Sequence, residues 1–396
     1  MKLLIKNAKI HDGLHPEVAG AVWCEDGKIT NILEEGNNLS TYESQADEGL
    51  DLQGKHLMPG MIDVHLHGGY GHDFIEKARE GVDGVGKGLL EEGTTGYMAS
   101  LTVIDHPTMI SLLKEYAAIE PELIHSPDRA TFLGVHSEGP YLSYDYKALM
   151  DPTCLRDASA KELEEMKEAA GGWLRIMTIA PEREGALEMI AREKENPQGL
   201  TMMIGHSAAT SQQAKDGLRA GAKGFTHLYN AMSPHTHRQP GCVTAALSDE
   251  NCFCELICDG FHVHPDVVRL TYKILGPERI VLITDAMPGK GMPDGEYVFS
   301  KLQCVKKGNT VRVIETGRIA GSAITMMDAI RNMREFCQVS FDDLARMSGY
   351  NPACIAQVED TKGSIEKGRD ADLIVLDDEM NLCHVIVSGQ EATLRQ

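Results

Sequence analysis

The stretch Met61-Ile62-Asp63-Val64-His65-Leu66-His67-Gly68-Gly69 decides how this chain is read. In a strand, side chains at i and i+2 share a face, so His65 and His67 aim at one point while Val64 and Leu66 turn away from it. Four further apolar runs end on a group able to bind a metal. They are Gly134-Val135-His136-Ser137-Glu138, Met203-Ile204-Gly205-His206, Gly224-Phe225-Thr226-His227 and Val281-Leu282-Ile283-Thr284-Asp285. Neutral imidazole and carboxylate suit divalent zinc, iron or manganese, with an open position left for water. Such an ion lowers the pKa of that water from ~15.7 to about 7. The candidate metal ligands are therefore His65, His67, Glu138, His206, His227 and Asp285, in the arrangement a barrel metallohydrolase needs.

Outward from these runs, residues 58–355 alternate short Val/Ile/Met-rich segments with amphipathic ones, which argues for βα units and a parallel sheet. The apolar runs are 61–67, 94–100, 131–136, 174–180, 200–206, 224–228, 253–258 and 279–285, with helix-like stretches such as 107–119, 159–170, 184–195, 209–220 and 265–276 between them. Ser159, with Glu162 three residues on, opens one helix in the manner of a capping box, and Thr210 or Ser211 suits the start of another. Eight such units make an α/β (β/α)8 barrel, whose active site lies at the C-terminal ends of the strands. That is where the candidate ligands fall. Residues 1–57 and 356–396 instead show short strands and Asp-Gly or Glu-Gly turns, most simply one discontinuous β-rich domain formed by both termini, the alternative being two separate caps.

Any one of these residues has a plainer reading. A lone histidine is more often a satisfied core or loop residue, Glu138 before Gly139-Pro140 suits a strand stop, and Asp285 suits a helix N-cap. Taken together, His65 with His67, His206 and His227 favour a metal, and a Glu closing an apolar strand is costly to bury unpaired. His136 shares a face with Glu138 and receives no role.

Composition narrows the partners. The 396 residues are 42% hydrophobic and 24% charged, with a formal net charge of −21, so nucleic acid and anionic membranes are poor partners. An anionic substrate then needs a local cationic pocket. Ten cysteines are scattered without a C-x-x-C pair, and Cys252 and Cys254 read as core thiols. The opening Met1-Lys2-Leu3-Leu4-Ile5-Lys6 reads as a strand and no run approaches transmembrane length, so the expected compartment is the cytoplasm.

The motifs carry a resemblance. Pro59-Gly60-Met61-Ile62-Asp63-Val64-His65-Leu66-His67-Gly68 and the tail Lys367-Gly368-Arg369-Asp370-Ala371-Asp372-Leu373 are similar to the amidohydrolase superfamily and speak to fold. More specific are Glu138-Gly139-Pro140-Tyr141-Leu142, Gly205-His206-Ser207, Thr226-His227-Leu228-Tyr229-Asn230-Ala231-Met232, Arg238-Gln239-Pro240-Gly241, Asp259-Gly260-Phe261-His262-Val263, Thr284-Asp285-Ala286 and Ala320-Gly321-Ser322-Ala323. With these the whole chain resembles the N-acetylglucosamine-6-phosphate deacetylase family. The resemblance implies that Glu138, His206 and His227 hold one divalent ion and that His65 and His67 hold a second, bridged by Glu138. It makes Asp285 the catalytic acid/base and Asn230, Ala231, Arg238 and His262 the contacts to a phosphorylated amino sugar. It also implies a homodimer, since the loop carrying Arg238 can serve a neighbouring subunit's site.

One departure stands out. Where the family usually reads Lys-Gly-Ala followed by His or Gln, a substrate-holding residue, this chain has Lys147-Ala148-Leu149-Met150. Methionine donates no hydrogen bond and accepts only weakly. Either His136 or His235 takes over, or the sugar is another epimer such as N-acetylgalactosamine 6-phosphate. A different amidohydrolase specificity, toward cyclic amides, and a non-catalytic sugar-phosphate sensor are the competing readings. Many cyclic amidohydrolases bridge their metals with a carboxylated lysine where Glu138 stands here, and a sensor would be expected to have lost ligands.

Overall fold

The computed structural model describes residues 1–299 and 302–392. Eight strands lie side by side, β1 (Met61–Leu66), β2 (Thr94–Leu101), β3 (Thr131–Glu138), β4 (Leu174–Ile179), β5 (Thr201–Ile204), β6 (Gly224–Phe225), β7 (Phe253–Ile257) and β8 (Ile280–Ile283). Each pairs in parallel with its successor in sequence. The ends of the sheet are brought together by main-chain bonds. Asp285 N–H donates to His65 O and His67 N–H donates to Ala286 O, both at 2.8 Å. Thr284 adds a second tie, its hydroxyl donating to Asp63 Oδ2 at 2.5 Å where both side chains are fully buried. The result is the expected (β/α)8 barrel.

A strand in such a barrel has side chains facing the lumen on one side and helices on the other, so it reads as a near-continuous apolar run. All eight residues of β2 are buried, as are all four of β5 and of β8. One helix follows each strand: α1 (Ala78–Glu91), α2 (His106–Ala117), α3 (Ala160–Ala170), α4 (Ala186–Glu195), α5 (Ser211–Ala220), α6 (Cys242–Ser248), α7 (Pro265–Leu275) and α8 (Met326–Cys337). Ser159 caps α3 by accepting from Glu162 N–H, though Glu162 turns its carboxylate to Arg156 instead of completing a box. Thr210, not Ser211, caps α5, in a full capping box with Gln213.

The two termini share one sheet. Leu373–Leu376 pairs antiparallel with His56–Pro59, which runs parallel to Lys2–Ile10. A third sheet was not anticipated from the sequence. Gly295–Phe299, Leu302–Lys307, Thr310–Val313 and Ile319–Ser322 form an antiparallel layer between β8 and α8. Its Phe299, Cys304, Val311 and Val313 make a small core with Leu149 and Met287 packed against it. Among the described residues, no helix is long and apolar enough to cross a membrane.

Candidate metal centre

All six candidate ligands arrive at the C-terminal rim. His65 lies within β1, His67 follows it and Glu138 is the last residue of β3, while His206, His227 and Asp285 each sit two residues past the ends of β5, β6 and β8. His206, His227 and Asp285 take left-handed backbone angles, with φ of 47°, 31° and 49°. Non-glycine residues rarely adopt that conformation, and it concentrates at functional sites. It turns each chain sharply off its strand and swings the side chain over the barrel mouth.

The Glu138 carboxylate is the hub. Its Oε1 lies 2.9 Å from His227 Nε2, 3.1 Å from His206 Nε2 and 3.5 Å from His65 Nε2, while Oε2 lies 3.3 Å from His67 Nε2. Asp285 Oδ1 stands 3.4 Å from His67 Nε2 and 3.7 Å from His65 Nε2. Two metal-competent groups, His65–His67–Glu138 and Glu138–His206–His227, thus share one carboxylate.

The surrounding contacts orient the rings. His65 Nδ1–H donates to Glu255 Oε2 at 3.0 Å, His67 Nδ1–H to Ser100 O at 3.1 Å, and His206 Nδ1–H to Tyr146 O at 2.8 Å. With Nδ1 committed as donor, each neutral ring presents the Nε2 lone pair to the centre. His65 Nε2 is buried with no hydrogen-bond partner, and the ε nitrogens of His206 and His227 face each other at 3.1 Å. Lone pairs and carboxylate oxygens crowded this closely repel one another unless a cation sits among them. The donor set of imidazole nitrogen and carboxylate oxygen fits a divalent metal ion.

The electrostatics agree. Burial alone would push the Glu138 carboxyl up, yet His206, His227 and His65 hold it well below the usual carboxylate range. Asp285 is likewise pulled down to about 2 against burial, chiefly by His67 and His65. Burial would lower His67, but its contacts with Asp285 and Glu138 outweigh this and push it up to about 10. The cluster draws positive charge onto itself.

A cavity of about 810 Å³ opens over the cluster, lined by His67, Glu138, His206, His227 and Asp285. Asn230, Ala231 and His262 line it too. Burial disfavours the charged His262 ring, but its Nδ1–H, 2.6 Å from Asp259 Oδ2, lies in that carboxylate's field and its pKa is raised. An imidazole whose protonated form is favoured over that of a free histidine therefore faces the cavity of this acidic protein. Arg238 is not brought there; it is exposed and does not line the cavity.

Met150 lines the cavity as a nearly buried apolar wall. Neither suggested substitute reaches that place. His136 is fully buried, with Nδ1 on Ser100 Oγ at 3.0 Å and Nε2 on Thr178 Oγ1 at 2.8 Å. His235 is exposed and bonds Thr244 Oγ1. Sequence reading also passed over Glu255, which orients His65 and accepts from His227 N–H at 3.1 Å, and Asp259, which favours the protonated form of His262. The signal was present: Phe253-Cys254-Glu255-Leu256-Ile257 buries an acid in the middle of an apolar strand.

A parallel barrel that gathers imidazole and carboxylate at one rim is the architecture of the metal-dependent hydrolases. Within that class, the chain belongs to the amidohydrolase family, whose model matches residues 56–392. The N-acetylglucosamine-6-phosphate deacetylase of Bacillus subtilis (strain 168) is 34% identical over 393 residues, covering 98% of this chain and 97% of that protein. The N-acetylgalactosamine-6-phosphate deacetylase of Escherichia coli O157:H7 is 35% identical over 337 residues, covering 85% of this chain and 88% of that protein. Among solved structures, a mutant N-acetyl-D-glucosamine-6-phosphate deacetylase from Mycobacterium smegmatis, in complex with N-acetyl-D-glucosamine-6-phosphate, superposes with a TM-score of 0.89. It is 30% identical, covering 99% of this chain and 100% of that one.

Proposed function

We propose that this chain hydrolyses the N-acetyl group of N-acetylglucosamine 6-phosphate, releasing glucosamine 6-phosphate and acetate. One observation carries the reading: Asp285 and His262 line the same cavity, a carboxylate beside the Glu138 cluster and an imidazole whose protonated form Asp259 favours.

Glu138, His206 and His227 would hold one divalent ion, and His65, His67 and Glu138 a second, with zinc, iron or manganese all compatible with the donors. Bound there, the metal supplies Lewis acidity, polarising the acetamide carbonyl and acidifying water. Asp285, held ionised, accepts the proton of the attacking water and delivers it to the leaving amine nitrogen. Its side chain is 15% exposed and lines the cavity. His262 meets the phosphate, with Asn230 and Ala231 on the same wall. Arg238 contributes its planar fork to the cavity of a second copy, which makes a homodimer the working assembly. Ten free cysteines suit the reducing cytoplasm.

N-acetylgalactosamine 6-phosphate is the second reading, favoured by Met150 on the cavity wall and by the Escherichia coli relative. Acetate release from 6-phosphorylated N-acetylglucosamine, N-acetylgalactosamine and N-acetylmannosamine, with unphosphorylated N-acetylglucosamine and the Met150→His variant alongside, separates them. The proposal expects the phosphorylated gluco epimer to turn over fastest and the unphosphorylated sugar far more slowly. A tenfold preference for the galacto epimer would install the second reading, and no acetate from any of them would end both.

A further inference from the structure

A second set of metal-competent side chains lies away from the barrel rim, where the terminal sheet meets the short helix Phe341–Ala345. His11 and His56 are only 2% and 5% exposed. His11 Nε2 lies 2.9 Å from His56 Nδ1 and 3.6 Å from Glu17 Oε2. Ligand atoms of all three residues fall within 4.8 Å of one another. The outer nitrogens are taken: His11 Nδ1 is 2.6 Å from Asp342 Oδ1 and His56 Nε2 is 2.9 Å from Asp378 Oδ1. Phe341 stacks on the His56 ring with centroids 3.6 Å apart, and Asp342 also accepts from Glu17 N–H at 3.2 Å.

Each contact to Asp342 or Asp378 uses one N–H, and two neutral imidazoles carry only two. The inner nitrogens, His11 Nε2 and His56 Nδ1, then face each other as lone pairs beside the Glu17 carboxylate. A positive group is needed there, either an extra proton or a cation. Giving the remote N–H to a carboxylate is how metal-ligating histidines are oriented, and both rings do so.

We propose that His11, His56 and Glu17 form a second, structural site for a divalent cation of the zinc type. Two ring nitrogens at tetrahedral zinc, each at about 2.0–2.1 Å, stand about 3.3 Å apart. Reaching that from 2.9 Å requires only a small opening, and the matching pair at the rim, His206 and His227, stands at 3.1 Å. Glu17, with its side chain 44% exposed, gives the ion access and leaves a fourth position for water. The ion joins the segment after Lys2–Ile10 to the head of the strand that leads into β1; Asp342 holds the first to the helix Phe341–Ala345 through His11 and Glu17, and Phe341 stacks on His56 of the second. Its role is to clamp the terminal sheet to the barrel.

The test uses the full-length protein. Wild-type crystals grown with zinc are measured on either side of the zinc absorption edge. Zinc content per chain is compared between wild type and a Glu17→Gln, His11→Gln double variant. The site predicts anomalous density between His11 and His56, and about one equivalent less zinc in the variant with acetate release per chain unchanged. Anomalous density confined to the rim, or equal zinc content in two folded proteins, would overturn it and identify the pair as sharing a proton. Should the double variant fail to fold, the crystallographic arm decides alone. Because rim density is a separate peak, loss of this site leaves the proposed hydrolysis untouched.

Discussion

Glu255 on β7 accepts the Nδ1–H of His65 on β1 at 3.0 Å, with both side chains fully buried. The pair ties the orientation of a candidate ligand to a strand that contributes no ligand of its own. The same carboxylate oxygen holds the main chain of His227, which sits in the left-handed region just past β6. One acid therefore fixes a residue from each of the two ligand groups.

Replacing Glu255 with Gln keeps the shape but removes the charge that sharpens the His65 lone pair. Such orienting partners typically contribute 10–100-fold to metal affinity. We expect affinity to fall by about that factor in the Glu255→Gln variant, measured by competition with a chromophoric chelator. Unchanged affinity would show that Glu255 only fills space.

Asp285 is expected to matter for proton transfer far more than for holding metal. Asp285→Asn should lower kcat by about 10²–10⁴, the range typical of a positioned acid or base. Metal content, read by mass spectrometry, should stay close to wild type. Turnover near wild type would refute its assigned role.

The pH dependence of substrate binding follows from His262. Its folded pKa is raised by Asp259, so the imidazolium persists to higher pH than in a free histidine and is lost as pH climbs through the raised value. KM for the phosphorylated sugar should therefore rise on the alkaline side, with kcat little affected. Asp259→Asn should move that rise to lower pH, and His262→Gln should abolish it. A KM profile identical in all three proteins would remove His262 from the phosphate site. The sugar phosphate itself ionises with a second pKa of about 6, which shapes only the acidic side.

At the barrel seam, Thr284→Val deletes the hydroxyl donating to Asp63 and leaves a buried carboxyl short of a partner. Leaving such a group unsatisfied costs about 1–3 kcal/mol, so thermal or urea denaturation should register a loss of that size. No change in the midpoint would mean that Asp63 finds another donor.

These residues also show what could be read in advance. The apolar runs at 131–136 and 279–285 announce barrel strands because parallel strands are covered on both faces, and a ligand at or just past each run's end follows from the rim geometry. Helix α1 was hidden by its own composition. Gly81, Gly84, Gly86 and Gly88 argue against a helix by propensity, yet packing demands two of them. A Cβ on Gly84 would lie 2.3 Å from the His72 ring, and one on Gly88 would lie 2.2 Å from the Tyr70 ring. In the four-stranded layer, Thr310-Val311-Arg312-Val313 alternates polar and apolar residues, but nothing local says that Leu302, Ile319 and Gly321 will wall the cavity. That depends on where the sheet packs. Likewise His136 shares the face of Glu138, and only its distance from the rim, set by Ser100 and Thr178, removes it from the chemistry.

The proposed hydrolysis requires the side chains gathered around Glu138 to hold metal. The most direct measurement is acetate release from N-acetylglucosamine 6-phosphate by protein stripped with a chelator, then reloaded stepwise with zinc, manganese or iron. Negligible release is expected from the stripped protein, with recovery that tracks metal bound at the rim. Stripped protein turning over at the untreated rate, or fully reloaded protein releasing no acetate, would contradict it.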